Sequence, residues 1–135
     1  MATKVRGVEE LKRNCRHLPA ASKAVLREAR VAGAEVIAER VRQLAPVDSG
    51  VLHDSIKVVV AGETVSVIID REDYPGGVPY FAYVEYGTSR MDARPYFRPA
   101  FDQSKAAAEA VIVALAGAGL ATVATSALSV RVREK

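Results

Sequence analysis

Cysteine and histidine are scarce in this 135-residue chain, and tryptophan is absent. The single cysteine, Cys15, excludes a disulfide bond within the chain, so a reducing cytoplasm is the expected place of synthesis. The two histidines, His17 and His53, lie in different parts of the chain, and no second Cys or His cluster completes a metal site with Cys15. We therefore expect neither a metal nor a cofactor.

A long, wholly apolar run is also missing. None reaches the ~20 residues that span a bilayer, and the N-terminus MATKVRG lacks the apolar centre of a signal peptide, so we expect no membrane partner. Half of the residues are apolar, which is enough for one real core in a chain of this length. The composition therefore predicts a single domain over residues 1–135.

The excess of positive charge is small, with a net charge of +3, and it is unevenly placed. Residues 1–45 carry ten Lys or Arg against five acids, whereas residues 46–90 carry three against seven. A dedicated nucleic-acid binder usually interleaves its basic residues with aromatic ones, and here the aromatics lie mainly in the acidic half. A small DNA-binding module that uses the basic residues 1–45 stays open as a second alternative function.

The aromatic residues are concentrated in one stretch, residues 74–101, which also holds four of the six prolines. Aromatics contribute the largest burial energy per residue, and proline stiffens the chain between them. This stretch predicts one shaped surface on a simple scaffold. All eight aromatic residues lie in it: Tyr74, Tyr80, Phe81, Tyr83, Tyr86, Tyr96, Phe97 and Phe101.

Hydrophobic periodicity predicts helices at both ends of the chain. The first is a polar helix within residues 1–18, stopped by Pro19, and the second is a scaffold helix over residues 22–45 with Ser22 as its cap. Gly33, in the middle of the scaffold helix, indicates that another element crosses closely there. A further helix is predicted over residues 98–116, ended by Gly117 and Gly119.

Between these helices the sequence predicts a small, mainly antiparallel β-sheet over residues 53–88. Residues 55–60 and 64–70 form a hairpin, and the aromatic residues 80–86 form a third strand. The tail, residues 120–135, contains a possible strand because Leu128, Val130 and Val132 alternate with polar residues. The predicted fold class is therefore α+β, with a long N-terminal helix and a second C-terminal helix packed on the sheet.

Two short patterns could suggest an enzyme. Asp48, Ser49 and Gly50 match the triplet of aspartic proteases, but those enzymes place it after a β-strand, whereas here a helix precedes it. His53, Asp54 and Ser55 are neighbours in sequence, whereas a catalytic triad is assembled from separated segments. We therefore expect no catalytic residues and no enzyme.

Three blocks together resemble the head–tail joining protein family of long-tailed bacteriophages, typified by the HK-type lambdoid phages. They read APVDSGVLHDSI from Ala45, YFAYVEYGT from Tyr80 and MDARPYFRPAF from Met91. Three blocks in the right order and spacing are specific, whereas one alone would be weak. The resemblance covers roughly residues 20–116, and Tyr86 and Tyr96 stand where Phe is common. The matching positions are Pro46, Asp48, Ser49, Gly50, Leu52, Ser55, Ile56, Tyr80, Tyr83, Val84, Glu85, Gly87, Thr88, Met91, Ala93, Arg94, Pro95, Arg98, Pro99 and Ala100.

The resemblance implies a structural virion protein that is made in the host bacterial cytoplasm and forms a ring in the neck. Six subunits are expected, and the neighbours would be a connector or stopper protein and the tail terminator or tail tube. Genomic DNA would pass through the lumen without sequence-specific binding. A tail-terminator ring that caps the tail tube is the alternative.

Two groups of residues are the candidates for contacts in such a ring. The aromatic, proline-rich loop would dock on a neighbour, with Arg94 and Arg98 paired with carboxylates there or with Glu85 of the same chain; equally, Phe97 and Phe101 could simply anchor the following helix in the core. The interface candidates are Tyr83, Glu85, Tyr86, Thr88, Arg90, Met91, Arg94, Tyr96, Phe97, Arg98 and Phe101. Acidic residues would keep DNA sliding in the lumen, and the channel-lining candidates are Glu63, Asp70, Glu72 and Asp73.

Overall fold

The longest element is the N-terminal helix α1, Val8–Leu44, in a computed structural model that describes residues 8–47, 50–70 and 80–128. Its apolar residues face the rest of the chain, and Ala29, Ala38 and Val41 are buried. The predicted break at Pro19 is wrong, because α1 continues through this residue. The fixed φ of proline is compatible with a helix, although proline lacks one backbone hydrogen bond and its ring crowds the carbonyl four residues earlier. Ser22 is therefore an interior residue and not a cap.

The C-terminal helix α4, Phe97–Leu128, lies antiparallel against α1. Gly33 of α1 meets Ile112 of α4, so closely that a Cβ at Gly33 would lie 2.5 Å from the Cγ1 atom of Ile112. Gly119 of α4 meets Val25 of α1 in the same way, about two turns further along α4. The close crossing predicted at Gly33 is confirmed.

The predicted end of this second helix at residue 116 is wrong, because α4 continues through Gly117 and Gly119 to Leu128. Glycine often ends a helix by adopting a positive φ, but neither of these glycines does. Gly119 is instead needed for the close approach to α1. Leu128, expected in a C-terminal strand, is helical, and residues 129–135 lie outside the described residues.

The sheet is a two-stranded antiparallel hairpin of β1, Ile56–Ala61, and β2, Thr64–Ile69. It confirms the predicted hairpin within one residue at each strand end. Ala61 pairs with Thr64, so Gly62 and Glu63 alone form the turn, and Gly62 has a φ of 62°. Glycine at the first position of a two-residue turn is typical of type II′. Along β2, residues 65, 67 and 69 are half-buried against the helices, while the alternate residues are exposed.

The expected third strand is wrong: residues 80–86 form a short helix, α3, Tyr80–Tyr86. The alternation of aromatics suggested a strand, but aromatic residues favour strands mainly where a sheet offers them neighbours. Here Val84 is buried and Phe81 packs against the core, a spacing of three that fits a helix. The fold class α+β is confirmed, with a smaller sheet and more helix than the sequence suggested.

The core lies where α1, the hairpin, α3 and the start of α4 meet. A one-turn helix, α2, Val51–Asp54, places Leu52 in it. Ser55 follows in the buried bend before β1 and donates its hydroxyl to the carbonyl of Leu52 at 2.8 Å. The buried members of this core are Ala38, Val41, Ala45, Leu52, Ile56, Val84, Tyr96 and Ala100.

Candidate assembly surface

A rigid loop, residues 87–96, joins α3 to α4. Gly87 begins it with a φ of 74°, and a Cβ there would lie 2.8 Å from the backbone nitrogen of Ala93. Thr88 and Met91 form an isolated antiparallel bridge, and the amide of Arg94 donates to the carbonyl of Val84 at 2.8 Å. The loop is therefore held against α3 by backbone contacts that leave no room for a side chain at Gly87.

Glu85 of α3 holds the N-terminus of α4. Its carboxylate accepts hydrogen bonds from the backbone amides of Tyr96, Phe97 and Arg98 at 2.8, 3.0 and 3.1 Å. The amides of Phe97 and Arg98 belong to the first turn of the helix, where no backbone acceptor exists, and that of Tyr96 directly precedes it. The positive end of the helix dipole favours an anion there. Glu85 is thus a structural residue that fixes the loop and α4 to α3.

Beside this cap lies an apolar groove of about 790 Å³. One wall comes from β2, one from α3, and one from the start of α4. Phe101 contributes to the rim and remains 43% exposed. Aromatic side chains left partly open around a groove are typical of surfaces that bind other proteins. The residues that form the groove are Val67, Ile69, Phe81, Glu85, Tyr86, Pro95, Tyr96, Phe97, Arg98, Pro99, Phe101 and Asp102.

Three tyrosines project from α3 next to the groove. Tyr80, Tyr83 and Tyr86 recur every third residue, so they lie on one side of the helix, and they are 38%, 42% and 81% exposed. Tyrosine is enriched among the residues that contribute most to binding energy. Tyr86 also lines the groove, so the row of tyrosines reaches it, and we call the row and the rim of the groove together the aromatic surface.

Most of the predicted interface residues lie on the surface, but three do not. Tyr96 is only 1% exposed and belongs to the core, while Phe97 is half-buried and packs against the same core. Glu85 is half-buried and occupied by the α4 amides. The structure thus assigns Tyr96 and Phe97 to the anchoring of α4. The exposed candidates are Tyr83, Tyr86, Thr88, Arg90, Met91, Arg94, Arg98 and Phe101.

The two arginines of the loop do not pair with Glu85. Among the described residues, neither Arg94 nor Arg98 forms an ion pair, and both side chains are exposed. The alternative of an Arg–Glu85 pair within the chain is therefore wrong, since backbone amides occupy the carboxylate. Both guanidinium groups remain available to a carboxylate of another protein.

The acidic residues proposed for a channel are not free negative charges where the structure describes them. Glu63 lies 3.3 Å from the ammonium group of Lys23, and Asp70 lies 2.9 Å from that of Lys57. The second pair is partly buried. Glu72 and Asp73 lie outside the described residues. The hairpin tip and the end of β2 therefore carry balanced charge.

A second apolar surface, missed in the sequence, lies on the outer face of α4. Residues 110–130 contain no charged side chain, and Thr122 is the first polar residue among them. Val113 and Leu120 lie on this face and are 72% and 36% exposed, whereas Leu115, 48% exposed, lies on the side that packs against α1. The signal was present as a 21-residue uncharged run, but the two glycines were interpreted as the end of the helix. We call this the α4 outer face.

The same helix is long and apolar enough to cross a membrane. Its segment 97–125 has a mean hydropathy of 1.9 over the best window, of which 6% is buried. Length and composition alone are weak evidence, because core helices and signal sequences pass the same test. The expectation that no part of the chain meets this criterion is wrong. Within the described ranges, no group of His, Cys, Asp or Glu has the arrangement of a metal site.

Comparison with known protein families agrees with the resemblance in the sequence. The model of a family described as "Bacteriophage HK97-gp10, putative tail-component" matches residues 9–87, which is more than half of the chain. The match includes α1, the hairpin and α3 with Glu85, and it ends before the third block, MDARPYFRPAF. No curated protein and no solved structure matches the chain. The chain belongs to the HK97-gp10-like family of phage tail components.

Proposed function

We propose that this member of the HK97-gp10-like family is a structural subunit of the virion neck. Copies of the chain form a closed ring, with six as the expected number, between the capsid connector and the tail tube. The ring completes the tail and joins it to the head, and genomic DNA passes through its lumen. Family membership supports a structural role in the virion rather than catalysis.

The observation that carries the proposal is the amount of apolar surface left uncovered. The outer face of α4 and the aromatic surface both expose large hydrophobic side chains. Monomeric soluble proteins rarely expose contiguous apolar patches of more than a few hundred Å² unless another molecule covers them. A subunit of an assembly gains stability by burying such surfaces against its neighbours.

The placement of the two surfaces favours a ring over a two-fold dimer. Phe101 at the groove and Leu120 on the α4 outer face are 19 residues apart on one helix, about 28 Å at 1.5 Å per residue. A ring requires two different patches on each subunit, so that one patch of each copy meets the other patch of the next. The chain carries two such patches, and they differ in shape: one is a groove with aromatic walls, and the other is a convex helix face of small and aliphatic residues.

Substitutions on the two surfaces test the proposal. Ala118→Glu places a charge on the α4 outer face, and Tyr86→Ser removes an exposed aromatic ring beside the groove. Each variant should keep the helical circular dichroism of the wild-type protein and lose the oligomeric species, because a buried unpaired charge or a missing anchor weakens every interface of the ring. Val47→Ser, at a 75% exposed valine outside both surfaces, is the control and should assemble normally.

If Ala118→Glu and Tyr86→Ser both leave the oligomeric mass of the protein unchanged, neither surface lies between subunits. If Ala118→Glu abolishes only flotation with lipid vesicles, the α4 outer face binds a membrane and not a second copy.

A tail-terminator ring is the second candidate, because the family description refers to a tail component. Such a ring would use the same self-association and differ in its neighbour. Co-purification from infected cells separates the two positions. Recovery with capsid connector proteins supports the neck, and recovery with tail tube protein alone supports the terminator.

A further inference from the structure

One side of α1 carries a row of basic residues that neither the core nor the two apolar surfaces use. Arg13, Arg16, Lys23, Arg27 and Arg30 are all exposed. At about 100° per residue they fall within an arc of about 100° on the helix, and they extend over about 26 Å of its length. We call this row the basic stripe.

Of the four acids of α1 whose side chains the structure describes, three lie away from the stripe, whereas Glu9 lies within its arc, four residues before Arg13. Glu28, Glu35 and Glu39 lie on a neighbouring side of the helix, and the last two lie 3.8 and 3.5 Å from the guanidinium group of Arg42. A solvated surface helix usually mixes both signs of charge on one face. The excess of positive charge along this side of α1 favours a partner of opposite charge.

Little within the described residues neutralises the stripe. Arg13, Arg16 and Arg27 have no ion-pair partner among them. The hairpin tip reaches the stripe through Glu63, whose carboxylate pairs with Lys23 and whose backbone carbonyl accepts a hydrogen bond from Arg30 at 2.9 Å. Five cations against Glu63 and Glu9 leave a net charge of +3 on the stripe and tip.

We infer that the basic stripe binds the phosphate backbone of duplex DNA without reading its sequence. Four of its five residues are arginines, whose planar groups bind phosphate oxygens with two hydrogen bonds. The described part of α1 contains no aromatic residue on which unpaired bases could stack, which argues against single strands. The stripe lacks Asn and Gln, which read adenine in the major groove, but arginine can read guanine there, so a second duplex of different sequence should bind with the same affinity if the contacts are to the backbone.

An anionic membrane surface fits the stripe less well. Helices that lie on membranes insert an apolar face next to their basic face. The apolar face of α1 is instead covered by α4 and the hairpin, with Ala29, Ala38 and Val41 buried. Placing the stripe against the phage genome rests on the proposed function, whereas DNA binding by the chain itself does not.

The test is the salt dependence of binding to a fluorescein-labelled 24-base-pair duplex of arbitrary sequence, measured by anisotropy with the full chain. Three variants are compared: wild type, Arg13→Gln/Arg16→Gln/Arg27→Gln, and the charge-keeping control Arg13→Lys/Arg16→Lys/Arg27→Lys. Each neutralised phosphate adds about −0.9 to the slope of log K against log salt, so the glutamine variant should lose about 2.7 from the slope per chain. Between 50 and 200 mM salt, the affinity of the wild-type protein should therefore fall about 40-fold more than that of the glutamine variant. Gln, Lys and Arg have similar helix propensities, so α1 should stay intact, as circular dichroism will show.

Three results overturn the inference. The wild-type protein could fail to bind the duplex at 50 mM salt, or the glutamine and lysine variants could share one slope. Polyglutamate or vesicles with one-quarter anionic lipid could also bind the chain more tightly than DNA does. Because the assay needs no ring, a negative result leaves the assembly proposal standing. If the protein binds DNA but stays monomeric, the assembly proposal is contradicted and the DNA-binding inference is not.

Discussion

Replacing Glu85 should destabilise the monomer, although the residue lies at the edge of the aromatic surface. Glu85→Ala removes the acceptor of three backbone hydrogen bonds, at 2.8, 3.0 and 3.1 Å, from Tyr96, Phe97 and Arg98 at the start of α4. Through these three bonds the Glu85 side chain joins the start of α4 to α3, and the substitution removes them all. The effect follows from folding and not from a lost contact with another subunit.

The expected magnitude lies between two limits. A hydrogen bond to a charged group contributes about 1.5–3 kcal/mol, but water can replace the acceptor at an exposed amide, and loss of an N-terminal cap costs about 0.5–2 kcal/mol. The amides of Tyr96 and Phe97 are partly buried and that of Arg98 is exposed. We therefore expect a loss of about 2–4 kcal/mol for Glu85→Ala. At about 4 °C per kcal/mol for a chain of this size, Tm should fall by about 8–16 °C.

Thermal unfolding followed by circular dichroism at one fixed protein concentration measures this loss, since self-association makes Tm depend on concentration. Glu85→Gln keeps one acceptor oxygen without the charge and should fall between Glu85→Ala and the wild type. Glu109→Ala, at an exposed residue further along α4, is the matched control and should change stability by less than about 0.5 kcal/mol. If Glu85→Ala is no less stable than Glu109→Ala, the capping role is wrong.

Two further predictions use matched pairs of glycines. Gly119→Ala should cost about 1–3 kcal/mol because its Cβ would clash with Val25. Gly117→Ala, with open space around it, should gain up to about 1 kcal/mol of helix stability. Urea unfolding measures both free energies, and equal effects would contradict the α1–α4 packing. Gly87→Ala should cost about 2–3 kcal/mol or more, since a positive φ and two backbone atoms at 2.8 and 2.9 Å both oppose a side chain. Gly50→Ala, which has a similar φ of 80° in open space, should cost only about 1–2 kcal/mol, so a loss at Gly50 as large as that at Gly87 would contradict the loop geometry.

The elements that rest on local signals could be predicted from the sequence. The apolar residues of α1 recur every three to four positions, and the hairpin combines alternating valines with a glycine turn. The end of α1 and the ends of both strands therefore agree with the prediction within one residue, whereas the break expected at Pro19 is absent. Gly33 was correctly interpreted as a close crossing, because a glycine inside a strongly periodic helix needs a reason.

The elements that depend on tertiary contacts could not be predicted from the sequence. Residues 80–86 form a helix because Val84 and Phe81 find the core on one side, which a list of β-favouring aromatics does not reveal. Gly117 and Gly119 look like a helix end, yet the packing of α4 on α1 carries the helix past them. The sequence holds no sign of which partner lies opposite Gly119.

The predicted interface stays a prediction, and the structure shows which of its residues are exposed and which serve folding. Tyr83, Tyr86 and Phe101 are exposed, as an interface requires. Tyr96 is in the core, and Glu85 binds helix amides. An aromatic residue or an acid near the start of a helix can stabilise the fold or bind a partner. The sequence does not distinguish these roles, whereas burial and hydrogen bonds in the structure do.

The most direct test of the central claim, that this chain assembles with itself through its apolar surfaces, is the solution mass of the purified protein. Multi-angle light scattering, followed by negative-stain imaging of any large species, should show a closed ring with a mass near a whole multiple of 14.5 kDa, six being the expected number. A protein that stays at 14.5 kDa up to the highest soluble concentration, with both apolar surfaces exposed, would contradict self-assembly as its function.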